Sequence, residues 1–327
     1  MELVINTFGA SIKRDKEAFV IANKDGQQRI PVDGVTSIVM GRGVLVTSDA
    51  VMLAVEHEID MIFSDKAGSM VGRVWSPRYG SVSSIRKGQI NFTFSHDALT
   101  WIKKVIARKI ENQQALLLMF NSDDGSATQL TRKSIARMED YRTKVLAVEG
   151  DVVADVAPSL RGWEGLASRI YFETLNTFLP RNLQFGKRSQ RPAIDPFNAF
   201  LNYGYGMLYG KVEGALIKAG VDPYVGVMHR DDYNRPVLAY DIIERYRVWV
   251  DYVVTNLACQ SVINEDYYSV HDDGSCWLEG LGRRVLIQSV NDYLDEVVEV
   301  SDDMQRSRAT IIQMDAHKLA NMFKQYV

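Results

Sequence analysis

The sequence predicts a two-domain α+β protein: a small N-terminal β-sandwich or rolled sheet over residues 1–84, then a larger all-α domain over residues 85–327. Three observations carry that expectation. Short β-branched runs fill the first quarter of the chain. A polar stretch containing Pro and Gly follows. Beyond it, apolar residues recur at helical spacing almost to the end.

The strand runs are Leu3–Asn6, Ala18–Ala22, Arg29–Val32, Val35–Met40, Gly43–Val46, Met61–Phe63 and Val71–Trp75. Turn residues separate them at Lys24-Asp25-Gly26, Asp33-Gly34, Gly41-Arg42-Gly43 and Lys66-Ala67-Gly68. One helix interrupts the run, with Ser48 as its N-cap and Ala50, Leu53, Ala54 and Ile59 continuing an apolar face. The boundary falls in Ser76-Pro77-Arg78-Tyr79-Gly80-Ser81-Val82-Ser83-Ser84, where the period changes from about two to about 3.6. Helical spacing then covers Trp101–Ile110, Gly165–Phe178, Leu201–Ala219, Val237–Asn256, Gly282–Val298 and Arg308–Phe323.

Composition narrows the function class. With 46% apolar and 24% charged residues the chain has an ordinary globular composition. No apolar run reaches the length of a membrane span, and no secretory leader is visible at the start. Cys259 and Cys276 have no metal-binding spacing, so the expectation is two reduced thiols in a cytoplasmic protein. A net charge of −3 argues against a protein that coats nucleic acid, while leaving room for local basic patches. No P-loop, dinucleotide fingerprint, serine-hydrolase elbow or zinc-finger spacing occurs.

A few acidic residues and one histidine concentrate the chemistry. Asp241 and Glu244 stand three apart just after Pro236, where a helix projects both carboxylates from one face. Their helix is apolar on most sides, so each carboxylate needs a partner, either a cation or an arginine. An acidic face in solvent is the plainer alternative. His229 precedes this helix in a polar loop and is either a structural imidazole or a ligand and proton carrier. Glu164 stands between Gly162 and Gly165 at the expected start of a helix, where it either complements the helix dipole or meets a closely approaching ligand. Carboxylates plus one imidazole make a hard ligand set that suits Mg²⁺ or Mn²⁺ better than a structural zinc.

Basic residues cluster at Lys103, Lys104, Arg108 and Lys109, at Arg132 to Lys144, and at Arg306 with Arg308; each cluster reads as a solvated face. The loop Gly186-Lys187-Arg188-Ser189-Gln190-Arg191-Pro192 is the best candidate for DNA contact, because it carries no compensating acid. Tyr203, Tyr205 and Tyr209 follow it, either stacking on bases or forming a helix interface.

Taken together and in this order, these motifs resemble the CRISPR-associated integrases of spacer acquisition, the Cas1 family. The resemblance runs through Arg161-Gly162-Trp163-Glu164-Gly165-Leu166, Asp195-Pro196-Phe197-Asn198-Ala199-Phe200, Leu208-Tyr209-Gly210, His229, and Leu238-Ala239-Tyr240-Asp241-Ile242-Ile243-Glu244-Arg245-Tyr246-Arg247. It implies that Glu164, His229 and Glu244 are metal ligands for Mg²⁺ or Mn²⁺, with Asp241 an acidic neighbour in the same catalytic site. Tyr209 and Arg247 then match DNA-contacting positions. The C-terminal Gln313-Met314-Asp315-Ala316-His317 matches the family's Gln-containing helix in part, with His317 where an arginine is common.

The resemblance further implies homodimers formed through the β domain and a catalytic helical domain. Two such dimers would flank a Cas2 dimer in a heterohexamer holding a DNA fragment. The implied reaction is attack of the fragment's 3′-hydroxyls on phosphodiesters of the CRISPR repeat array, with accompanying endonuclease activity. Two other readings stand beside it: a stand-alone structure-specific endonuclease or resolvase, and a non-catalytic DNA-binding scaffold whose acidic cluster is an ion-pair network.

Overall fold

Strands β1 (Glu2–Ile5), β2 (Ser11–Arg14), β3 (Ala18–Asn23), β4 (Gly26–Pro31), β5 (Ser37–Met40), β6 (Leu45–Val46), β7 (Asp60–Ser64) and β8 (Met70–Arg73) build the N-terminal part of the computed structural model. They form two four-stranded sheets, ordered β1-β5-β7-β8 and β4-β3-β2-β6. In the first, β1, β5 and β7 are parallel and β8 returns antiparallel to β7. In the second, β2, β3 and β4 are antiparallel and β6 runs parallel to β2. Ile12, Phe19, Ile38, Leu53 and Met61 fill the core of this part.

The structure describes residues 1–65, 70–74, 83–121, 125–229, 235–301 and 304–327. The chain divides into two units, Met1–Ser81 and Val82–Val327. The expected turn at Lys66-Ala67-Gly68 and most of the expected boundary, together with Trp75, lie outside the described residues.

Two details of the first unit differ from the sequence expectation. Strand β2 has no counterpart among the expected runs, because Ile12 is the only apolar residue in Ser11-Ile12-Lys13-Arg14; that side chain is fully buried. The N-cap of α1 (Ser48–Glu56) is Thr47 rather than Ser48, its hydroxyl accepting the Ala50 N–H at 3.3 Å. A cap of this kind stabilises a helix by ~1 kcal/mol.

The second unit is mainly helical: α2 (Ser83–Thr93), α3 (His96–Met119), α4 (Gly125–Ala147), α5 (Val153–Asn176), α6 (Pro196–Lys218), α7 (Val237–Ile243), α8 (Arg247–Cys259), α9 (Gly280–Asp295) and α10 (Arg308–Phe323). Two hairpins interrupt the helices, β9 (Tyr268–Val270) with β10 (Cys276–Leu278) and β11 (Val297–Ser301) with β12 (Met304–Ser307). The second hairpin overturns the expected extension of a helix to Val298. Val297, Val298 and Val300 are β-branched, and the chain leaves the helix at Glu296 with ψ 129°.

Two further departures set the geometry of the site. Helix α5 begins at Val153 rather than Gly165 and runs through Pro158, Gly162 and Gly165. Those residues read as breakers, but the buried stripe Val156, Leu160, Ala167, Ile170, Tyr171 and Leu175 holds one continuous helix through them. Glu164 is therefore mid-helix, and a helix-dipole role at an N-terminus is excluded. The expected single helix over Val237–Asn256 is instead α7 and α8, separated by a corner at Glu244–Tyr246. There the N–H groups of Arg245 and Tyr246 donate to Ile242 O and Ile243 O, three residues back, at 3.1 and 2.8 Å.

Candidate active site

Helix α3 places an ammonium in the core where the sequence predicts a solvated one. Lys109 lies four residues after Val105 and three after Ile106, on the stripe α3 turns to the core, and its side chain is 7% exposed. Its Nζ sits between two carboxylates, pairing with Glu164 Oε1 of α5 and Glu244 Oε2 at the α7–α8 corner. Ser168, one turn along α5, donates its hydroxyl to the same Glu164 oxygen at 2.9 Å. Arg247 Nε approaches Glu244 Oε1 at 3.1 Å.

Burial alone would push Lys109 and Glu244 toward their neutral forms. For Lys109 the pull of burial is outweighed by Glu244 and Glu164, so its pKa rises above the ordinary value. For Glu244 the push of burial is outweighed by Arg247 and then Lys109, so its pKa falls. Both stay charged. The network is compact but imperfectly aligned, since buried Glu244 Oε2 and Arg247 Nε make no aligned hydrogen bond.

The corner that carries Glu244 is held from outside. Asn112 of α3 donates its side-chain amide to Arg245 O at 3.0 Å. Asp315 of α10 accepts from the Tyr246 hydroxyl at 2.7 Å and pairs with Arg245 Nη1 at 3.2 Å. Part of the C-terminal helix singled out from sequence thus braces the site.

Asp241 and Glu244 take different direct partners, so the expectation that both carboxylates meet at one point is corrected to one in which Asp241 acts through His229. The fully buried Asp241 carboxylate accepts N–H groups of Val227, Met228 and His229 at 2.7, 3.0 and 3.2 Å, and contacts His229 Nδ1 at 2.6 Å. The chain folds around it at Gly226, where a Cβ would stand 2.7 Å from His229 O. The Asp241 hydrogen bond raises the imidazole pKa against the opposing effect of burial. With Nδ1 engaged by a carboxylate, Nε2 is the nitrogen left for a metal or a proton.

Rings link the two halves. His229 packs edge-on to Tyr240, Tyr240 edge-on to Tyr209, and the Tyr209 hydroxyl accepts from Arg247 Nη2 at 2.5 Å. Arg247 also lies over the Tyr205 ring, 5.0 Å from its centroid. This approach of α6 to α8 needs a glycine: a Cβ on Gly204 would meet Val250 Cγ1 at 2.5 Å.

A pocket of about 670 Å³ opens beside the carboxylates, lined among others by Lys109, Glu164, Phe172, Lys187, Arg188 and Arg247. Lys187 and Arg191 are exposed, and Lys187 lines the pocket while Arg191 does not. Arg188 differs from expectation. Its guanidinium bonds Asn198 Oδ1 and, at 2.9 Å, Asn202 Oδ1, and lies 5.2 Å from the Phe172 centroid, so it pins the loop to α6 and α5. Tyr203 and Tyr205 are buried, and Tyr205 joins Tyr171 in hydrogen-bonding buried Asp251; these rings form a helix interface.

Among the described residues, no three His, Cys, Asp or Glu side chains gather as a ready metal-ligand set. The donor chemistry nonetheless suits a hard divalent ion. Glu164 and Glu244 already share one cation. No described helix is long and apolar enough to cross a membrane.

The family model for CRISPR associated protein Cas1 matches residues 3–292. The chain belongs to the Cas1 family. A relative from Rhodospirillum rubrum, CRISPR-associated endonuclease Cas1 2, is 31% identical over 296 residues, covering 87% of this chain and 83% of its own. Two solved structures share the Cas1 fold found here. A casposase bound to integration product has a TM-score of 0.84 at 20% identity, covering 99% of this chain and 90% of that one. A chain of a Cas6-RT-Cas1–Cas2 complex has a TM-score of 0.81 at 23% identity, covering 99% of this chain; the present chain spans 35% of that longer one.

Proposed function

We propose that this Cas1 family member is a metal-dependent DNA integrase of CRISPR adaptation. It joins the 3′-hydroxyls of a short DNA fragment into the repeat array by transesterification and cleaves DNA when water replaces the hydroxyl. The observation that carries the reading is the pair of partly buried Glu164 and buried Glu244, brought from α5 and the α7–α8 corner onto one cation, Lys109, which with Glu164 lines a cationic pocket. Two proteins of the same fold, a casposase bound to integration product and a chain of a Cas6-RT-Cas1–Cas2 complex, support it.

Mg²⁺ or Mn²⁺, held by Glu164, Glu244 and His229 Nε2, would supply Lewis-acid stabilisation of the phosphodiester under attack. The remaining work falls to side chains. Asp241 fixes the His229 tautomer through Nδ1. Arg247 and Lys187 face the pocket with positive charge for phosphate, and Tyr209 holds the Arg247 guanidinium in place. Arg188 and Arg191 complete the basic loop, the first as its anchor and the second as an outer DNA contact. Partners in this reading are a second copy of the chain, joined through the β unit, and a Cas2 dimer in a heterohexamer.

One observation favours a second reading. Lys109 and Arg247 already neutralise both glutamates, the arrangement expected of a scaffold whose acidic cluster is structural. The deciding experiment incubates the protein and its Cas2 partner with supercoiled repeat plasmid and a fragment carrying free 3′ ends. Wild type should join the fragment with Mg²⁺ or Mn²⁺ and not in EDTA, and Glu244→Ala should reduce joining by at least ~10²-fold, the scale of removing a transition-state interaction. Cleavage without joining would leave a stand-alone nuclease. Undiminished joining by a soluble Glu244→Ala protein would leave the acidic cluster as a structural ion-pair network and overturn its catalytic role.

A further inference from the structure

We propose that Lys109 is the site's resident cation, occupying the place between Glu164 and Glu244 that a divalent ion takes, so that metal binds by exchange with this ammonium. The inference rests on the metal reading above and adds a residue to it. Three observations support it. Lys109 Nζ meets both carboxylates at once, on a side chain only 7% exposed. Its partners there are two carboxylates, the hard anionic donors a divalent ion would also use. Lys109 also lines the pocket, together with Gln113 and Ser168, so the released ammonium has polar company and open volume.

Charge balance explains why such a device is useful. Glu164 and Glu244 carry two negative charges, and Lys109 with Arg247 carries two positive ones. Without the ammonium, two carboxylates of low exposure would face each other with only Arg247 to compensate them, a costly arrangement. A divalent ion entering beside the ammonium would leave the site with excess positive charge, which displacement of Lys109 toward the pocket, and a phosphate arriving there, both relieve. A lysine suits the exchange better than an arginine, being a compact charge on a flexible stem. Metal affinity in the absence of DNA is therefore set low by an internal competitor.

The test measures Mn²⁺ binding by calorimetry and thermal stability in EDTA for wild type, Lys109→Met and the double variant Lys109→Met/Glu164→Gln. Lys109→Met should bind Mn²⁺ at least tenfold more tightly than wild type. In EDTA it should melt below wild type, with a larger gain on adding Mn²⁺. The double variant, with one positive and one negative charge removed together, should recover the melting temperature in EDTA, and it keeps the test informative should Lys109→Met fold only with metal. Equal or weaker Mn²⁺ binding by Lys109→Met would overturn the exchange while leaving the metal reading intact. Absence of Mn²⁺ binding by both wild type and Lys109→Met would overturn both.

Discussion

Asp241 accepts the N–H groups of Val227, Met228 and His229 and meets the His229 ring, whereas Glu244 pairs with Lys109 and Arg247. Two acids only three residues apart therefore have separate roles. The imidazole that Asp241 holds has a raised pKa, so the sign of its linkage follows directly. The pairing contributes stability in full below the free imidazole value of about 6.5 and loses it as pH rises through the higher folded value. In an NMR titration in EDTA, Asp241→Asn should return the His229 pKa toward or below 6.5 and cost ~1–3 kcal/mol from the unpaired N–H groups; an unchanged His229 titration would show that the pairing does not govern it. Glu164, His229, Asp241 and Glu244 were all legible as candidates from spacing and neighbours, whereas Lys109 was hidden. It reads as one of four basic residues with Lys103, Lys104 and Arg108, and only its place on the Ile102, Val105, Ile106 stripe marks it as buried. Arg188 shows the converse: a charge in an acid-free loop that neutral Asn198 and Asn202 and aromatic faces tie down. Replacing the exposed pair Lys187 and Arg191 together should therefore weaken DNA binding and lower its salt slope by about 1 for each phosphate left without its cation. A slope equal to wild type would remove this loop from the interface.

Helices, more than loops, position this site, and their ends were the least readable part of the sequence. Pro158 and Gly162 are residues that usually break helices, yet α5 passes through both because its apolar stripe is buried along the whole length. The corner between α7 and α8 has no Gly or Pro to announce it. It is made by partners distant in sequence, Asn112 on α3 and Asp315 on α10, which a local reading cannot see. The approach of α6 to α8 is set by Gly204 against Val250, three residues from Arg247. Gly204→Ala should destabilise the protein by ~1–3 kcal/mol through overpacking and reduce activity by moving Arg247 from Glu244, although it alters no charge. A variant with wild-type melting temperature and activity would mean the helices part at no cost.

At the level of the whole molecule, the order of a β unit and a helical unit was readable from the change of period, while strand pairing was not. Parallel β1, β5 and β7 bring together runs that local turn signals would have paired as hairpins. Among the described residues strand β8 ends its sheet, and Val71 on it is 66% exposed with Phe63 of the neighbouring strand at 41%. An apolar edge of this kind is a pairing surface. For the proposed dimer, Val71→Asp should give a monomer by light scattering at concentrations where wild type is dimeric; an undiminished dimer mass would move the interface elsewhere. The glutamate pair has a consequence for how the protein is made. Lys109 and Glu164 are 55 residues apart, and the brace from Asn112 reaches Arg245, 133 residues on. During synthesis the proposed catalytic arrangement cannot exist until the chain has emerged beyond that corner, so a polypeptide stopped before Glu244 would lack one of the proposed metal ligands.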